Sequence, residues 1–136
     1  MMLRTALAAL VCIGAAASAT AHPHVFIDNR MTVVFDSGTL VGIGFRWAFD
    51  DMFTQMILTD FKPASDGTFN AALTAGIKSG AFDNLENYHY FLAFFLGKKP
   101  LKKLRIEQFT PSVVEGKTLV YSFFVPLNLP VTTDEQ

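Results

Sequence analysis

Cysteine is nearly missing from this chain of 136 residues: the single one is Cys12, inside an apolar segment at the amino end. No disulfide and no thiolate metal site is therefore expected downstream of it, and the fold has to stand on its core. Lysine and arginine are not in excess either. Arg4 is the one charged side chain before His22, so the remainder carries ten basic against twelve acidic groups, a net charge of −2. Such a balance offers no basic field to collect phosphates, and no nucleic-acid partner is expected. Also missing are the nucleophile elbow, the Walker loop, the G-x-G-x-x-G turn and the H-E-x-x-H helix, so no enzymatic constellation is legible.

What is present begins with a leader. Arg4 supplies a positive start, Leu7 to Ile13 an apolar stretch, and Ala19-Thr20-Ala21 the small-residue pattern of a signal peptidase site. Residues 1–21 read as a cleaved signal peptide and 22–136 as a single periplasmic domain with no retained membrane anchor, because the apolar run falls short of the ~20 residues that a span needs. Val11 before Cys12 is not the small residue that a lipoprotein signal has there, and lipid attachment is not expected. About 115 residues with many phenylalanines lie within the range of one compact domain.

Alternation from His24 to Phe35 places Val25, Ile27, Met31, Val33 and Phe35 on one face of a strand and His24, Asp28, Arg30 and Thr32 on the other. Asp36-Ser37-Gly38-Thr39 turns the chain into a second strand over 40–49, and Gly42 and Gly44 predict a bulge or a close backbone approach within it. Asp50 has the character of a helix N-cap, with Phe53, Met56, Ile57 and Phe61 forming the buried face. Asn70 is placed to cap a second short helix through Ile77, and Phe82 to Tyr88 suits a further helical turn. Strands are expected over 89–96, 103–109 and 118–125, with turns at Gly97-Lys98-Lys99-Pro100 and Glu115-Gly116-Lys117. The fold class predicted is α+β: a largely antiparallel sheet with two or three short helices inserted between an N-terminal hairpin and C-terminal strands.

Cleavage after Ala21 would create a terminus reading His22-Pro23-His24, with a free α-amine and two imidazoles. These nitrogen donors suit a divalent transition metal (Ni, Co, Zn or Cu), and the amine, of ordinary pKa about 7.7–8.0, is readily deprotonated. Pro23 has no amide proton, which excludes a four-nitrogen plane built from backbone amides and calls for a ligand from elsewhere. Asp28, Asp50, Asp51 and His89 are the candidates. Four residues of strand separate His24 from Asp28 by ~13 Å, so Asp28 is better suited to a supporting contact. The plain alternative is that His22 and His24 are solvated and bind nothing specific, and that His89, among Tyr88, Tyr90 and Phe91, is a packed histidine. Lys98, Lys99, Lys102, Lys103 and Arg105 form a basic segment that could touch anionic lipid or an acidic partner, or protect an edge strand. Trp47, Phe49, Phe91, Phe94 and Phe95 could line a groove, although core is their default.

The segment His22-Pro23-His24-Val25-Phe26-Ile27-Asp28 after a signal, followed by Arg46-Trp47-Ala48-Phe49-Asp50-Asp51, resembles the periplasmic family called domain of unknown function 1007. Asn84 to Phe91 and Val120 to Leu127 are similar to later family segments. The resemblance implies a periplasmic component of an ABC-type transport system, often linked to nickel/cobalt transporters, and hence a membrane metal transporter (permease) as partner. It also implies an acidic calcium-type loop after the first helix, from which this chain departs: Lys62, Ala64 and Leu73 stand where ligands would be, so calcium is not expected there. Family members tend to continue beyond Pro126-Leu127 with another strand, which predicts a short sheet edge or a partner that completes it. A docking module without metal is the rival expectation, and a copper-dependent oxidative enzyme a third.

Overall fold

The structure is a computed structural model and describes residues 25–101 and 103–131; the leader, His22, His24 and Lys102 lie outside the described residues. Strands β1 (Ile27–Asp36), β2 (Thr39–Phe49), β5 (Glu107–Val114) and β6 (Thr118–Pro130) form one antiparallel sheet in the order β1-β2-β6-β5. Helices α1 (Asp51–Asp60) and α2 (Ala71–Ile77) lie between the two hairpins in sequence, and a second, two-stranded sheet pairs β3 (Phe95–Leu96) with β4 (Lys99–Pro100). The expected α+β class and the helix insertion between an N-terminal hairpin and C-terminal strands are what the chain adopts.

Period-two alternation decides which face is buried. Phe45, Trp47 and Phe49 from β2, Leu119, Tyr121, Phe123 and Val125 from β6, and Val113 from β5 share one face and pack against Ile57, Ile77, Phe82 and Tyr90 of the helical layer. Aromatic edges and faces lock this layer. Phe82 stands at its centre, with ring centroids 4.4 Å from Phe109, 5.2 Å from Phe123 and 5.9 Å from Tyr121. It gets there because α2 runs on into a widened π-helical turn over Lys78–Phe82, a distortion that re-aims one side chain without ending the helix. On the opposite face Arg30, Arg46, Ser122 and Thr110 form one cross-strand row.

The caps fall where they were expected. Asp50 accepts from the Phe53 N–H at 2.8 Å and Asn70 from the Leu73 N–H at 2.9 Å, each satisfying a donor that the first helical turn leaves free. Gly42 lies next to bulges in both neighbouring ladders, and a Cβ there would come 2.4 Å from the Val125 carbonyl oxygen, the close approach that its position in the sequence predicted. Gly67 has φ +81 and no room for a Cβ beside Val113. It terminates a turn in which the Asp66 carboxylate accepts from both the N–H and the hydroxyl of Thr68. Those bonds hold the Asp66 carboxyl below its ordinary pKa.

Four expectations need correction. The apolar face of β1 is not buried: every residue of the strand is exposed, because the helical layer covers β2, β6 and β5 and stops short of the outer strand. Met56 faces solvent, and Thr54 is the buried residue of α1 beside Ile57. Residues 83–91 form tight 3₁₀ turns broken by a kink at Tyr88–Tyr90 rather than the start of a strand at His89, and of the 89–96 run only Phe95–Leu96 is paired. Strand β5 begins at Glu107, not at Lys103, although Leu104 and Ile106 do pack at the core margin. The lysine-rich segment accordingly contributes to the small sheet and its exit, and the edges of the main sheet are β1 and β5.

Candidate functional site

The described chain enters β1 through a clamp. The Phe26 N–H donates to Asp50 Oδ2 at 2.7 Å, and the Asp50 N–H donates back to the Phe26 carbonyl at 3.1 Å. Since Asp50 Oδ1 caps α1 at Phe53, one carboxylate ties the start of the first strand to the start of the first helix. The N–H groups of Phe26 and Phe53, and then of Met52, lower the Asp50 pKa below 3.8. Charge stabilised by donors in this way favours an ionised carboxylate at every physiological pH. Both of its oxygens are engaged, so its evident task is positional.

The other sequence candidates lie apart. Asp28 is exposed and 4.0 Å from Arg30, two positions on along the same strand face. Asp51 opens α1 as an exposed acid in its first turn, where negative charge complements the helix dipole. His89 sits beyond the core in the 3₁₀ segment. Among the described residues no group of three or more histidine and carboxylate side chains converges on a point, so Asp28, Asp50 and His89 do not form one ligand set.

His89 instead lines an open cleft of about 540 Å³ with Lys78, Glu86, Tyr90, Lys103 and Arg105. Three cationic side chains line it beside Glu86, and two of them have acidic partners. Lys78 is paired with Asp83 and Arg105 with Glu107. The backbone is the unusual feature: His89, Tyr90 and Phe91 have φ of 52, 53 and 53 in succession. Left-handed conformation costs an L-residue roughly 1–2 kcal/mol, and the surroundings must hold it. Tyr90 is buried with its ring 5.2 Å from Phe82, and the Leu92 N–H closes the turn on the His89 carbonyl at 2.9 Å. Burial, with Glu86 and Asp83 nearby, raises the Tyr90 pKa. Nothing in the sequence marks this turn, because the glycines or asparagines that usually adopt such a conformation are not there.

Two buried polar groups were equally invisible. The Thr54 hydroxyl, fully buried, accepts from the Leu119 N–H at 3.1 Å and so joins α1 to β6. The Tyr121 ring packs among those of Phe49, Phe53, Phe82 and Phe109, and its buried hydroxyl has no hydrogen-bond partner among the described residues. Burial pushes its pKa up. Of the aromatic groove candidates, Trp47 and Phe49 are core, whereas Phe91 and Phe95 are exposed, Phe91 stacking on Tyr88.

Comparison with known proteins gives a family model, described as protein of unknown function (DUF1007), that matches residues 7–136. The chain belongs to this family. A 39% identical stretch of 73 residues is shared with an uncharacterised 15.5 kDa protein in the trpE 3′ region of Spirochaeta aurantia, covering 54% of this chain and 51% of that protein. The chain thus spans about half the length of this relative. No solved structure matches. For this DUF1007 chain the clamped entry to β1 and the cleft at His89 are two separate places. Among the described residues, no helix is long and apolar enough to cross a membrane.

Proposed function

We infer that this protein is a periplasmic accessory component of a metal transport system, which captures a divalent transition metal at the chain end His22-Pro23-His24 and exchanges it with a membrane permease. The observation that carries this reading is the clamp between Phe26 and Asp50. It fixes the backbone two residues after His24, so the donors would sit on a short tether rather than a long free arm, lowering the entropy lost when a cation is shared. The α-amine and His22 imidazole supply a chelate, His24 a further nitrogen, and Asp51, exposed and next to the clamp residue Asp50, is a carboxylate without a hydrogen bond among the described residues. Few ligands at a chain end permit fast release, which suits transfer.

Calorimetric titration of Ni, Co, Zn and Cu into protein beginning at His22, and into the same protein extended by one glycine, tests this. Extension converts the amine to an amide, and a drop in affinity of tenfold or more is expected. Equal and weak binding by both forms would refute the reading. The second reading, a docking module that needs no metal, is favoured by the exposed Tyr88–Phe91 pair and the neighbouring Phe95 and Leu96. It predicts that association with the permease survives chelation.

A further inference from the structure

Strand β1 has ten residues, all exposed, at the edge of the main sheet. It carries no proline and no lysine, and the extra residue at the register shift beside Val34 and Phe35 belongs to β2, so of the usual protections of a free edge it keeps only the charges of Asp28, Arg30 and Asp36. Its unpaired backbone groups can be assigned. Phe26 turns both its N–H and its C=O towards Asp50 at the end of β2. Because these groups alternate in direction along a strand, Ile27, Asn29, Met31, Val33 and Phe35 turn theirs outward. The same odd-numbered residues continue the core face, for Met31 pairs with Phe45 and Val33 with Ile43. Met31, Val33 and Phe35 are nevertheless 63%, 52% and 60% exposed.

We propose that β1 pairs antiparallel with β1 of a second copy of this chain about a two-fold axis at Val33, fusing two four-stranded sheets into one of eight. Charge selects the register. An axis at Arg30 opposes Arg30 to itself, an axis at Thr32 opposes Asp28 to Asp36, and an axis at Met31 leaves both acids and Arg30 without partners across the seam. An axis at Asn29 does set Arg30 against Asp28, but those two already meet within one chain, and Phe35 is then left uncovered. With the axis at Val33, Arg30 of each copy faces Asp36 of the other on one side of the sheet. On the other side Met31 covers Phe35, Val33 meets Val33, and the pattern closes on itself as an isologous contact must. Outward-pointing residues oppose outward-pointing residues, as the ladder demands.

This inference stands apart from the metal reading, since the chain end and the strand edge are different groups. Its test is single-cysteine cross-linking in a Cys12→Ala background, with the purified protein oxidised by diamide. A narrow antiparallel pair has Cα atoms about 5.5 Å apart, within disulfide reach, so Val33→Cys is expected to give a covalent dimer in high yield. Asn29→Cys, Met31→Cys and Phe35→Cys each alone are expected to stay largely monomeric, and a mixture of Met31→Cys with Phe35→Cys to cross-link. By sedimentation, Arg30→Asp and Asp36→Arg are each expected to weaken association at least tenfold, and the charge-swapped double variant to restore it. Circular dichroism confirms that each variant is folded. A monomer at all concentrations overturns the proposal, as does a dimer that Asn29→Cys traps and Val33→Cys does not.

Discussion

Strands β1 and β6 are written in the same alternating code and have opposite fates. The cross-strand row Val125, Ile43, Val33 starts 1% exposed on β6 and ends 52% exposed on β1; the row Phe123, Phe45, Met31 goes from 3% to 63%. Apolar periodicity therefore specifies which face of a strand is turned toward the core side of the sheet, but not whether anything covers it. Coverage is set by the width of the helical layer. Here α1, α2 and the 78–91 segment span three strands and leave the fourth bare.

The sharpest way to break this comparison is to truncate one residue in each strand. Leu119→Ala on β6 removes a fully buried side chain and is expected to cost about 3 kcal/mol of stability, transfer and cavity contributions together. Met31→Ala on β1 is expected to stay within about 0.5 kcal/mol in the Arg30→Asp background, at protein concentrations where that weakened variant is monomeric. Urea unfolding of both variants checks the contrast, and equal losses would mean that β1 is buried in solution.

Next in size is Thr54→Val, which keeps the shape of the side chain and removes the acceptor for the Leu119 N–H. A buried donor without a partner costs roughly 1–3 kcal/mol, and the same unfolding assay is expected to show a loss in that range. Tyr121→Phe, two residues on along β6, is expected to move the other way. It deletes a hydroxyl that has no partner among the described residues, and a gain of about 1 kcal/mol in unfolding free energy is the outcome that checks it.

Much of this architecture was legible in the residues themselves. Asp50 and Asn70 were readable as caps because a short side-chain acceptor before an apolar period has a local structural meaning, and the two main hairpins because their turns are local too. Thr54, Tyr121 and the left-handed turn at His89 were not. Each depends on what packs against it from a distant segment: Leu119 for Thr54, four aromatic rings for Tyr121, Phe82 for Tyr90. Of the candidate site, Asp50 was legible as an acid near the chain entry but not as the clamp it forms. A carboxylate that bonds residue 26 and residue 53 at once joins positions that only the folded sheet brings together.

That clamp is also where β1 and the core communicate, and it yields the smallest and most specific effect. Asp50→Asn keeps an acceptor for the Phe53 N–H, and asparagine caps helices as well as aspartate does. It sets an amide NH₂ against the Phe26 N–H, however, so only the strand side of the clamp is lost. Amide exchange is expected to accelerate at Phe26 and not at Phe53. The pH dependence follows from the direction of the Asp50 shift. Its folded pKa lies below 3.8, so its contribution to stability is complete above the unfolded pKa and disappears as pH falls through the lower folded value. As pH falls below about 4 the unmodified protein is therefore expected to lose thermal midpoint more steeply than Asp50→Asn. Parallel melting curves across that window would show that the carboxylate makes no more of the Phe26 contact than a neutral side chain does, and that β1 is held on the sheet by its ladder to β2 alone.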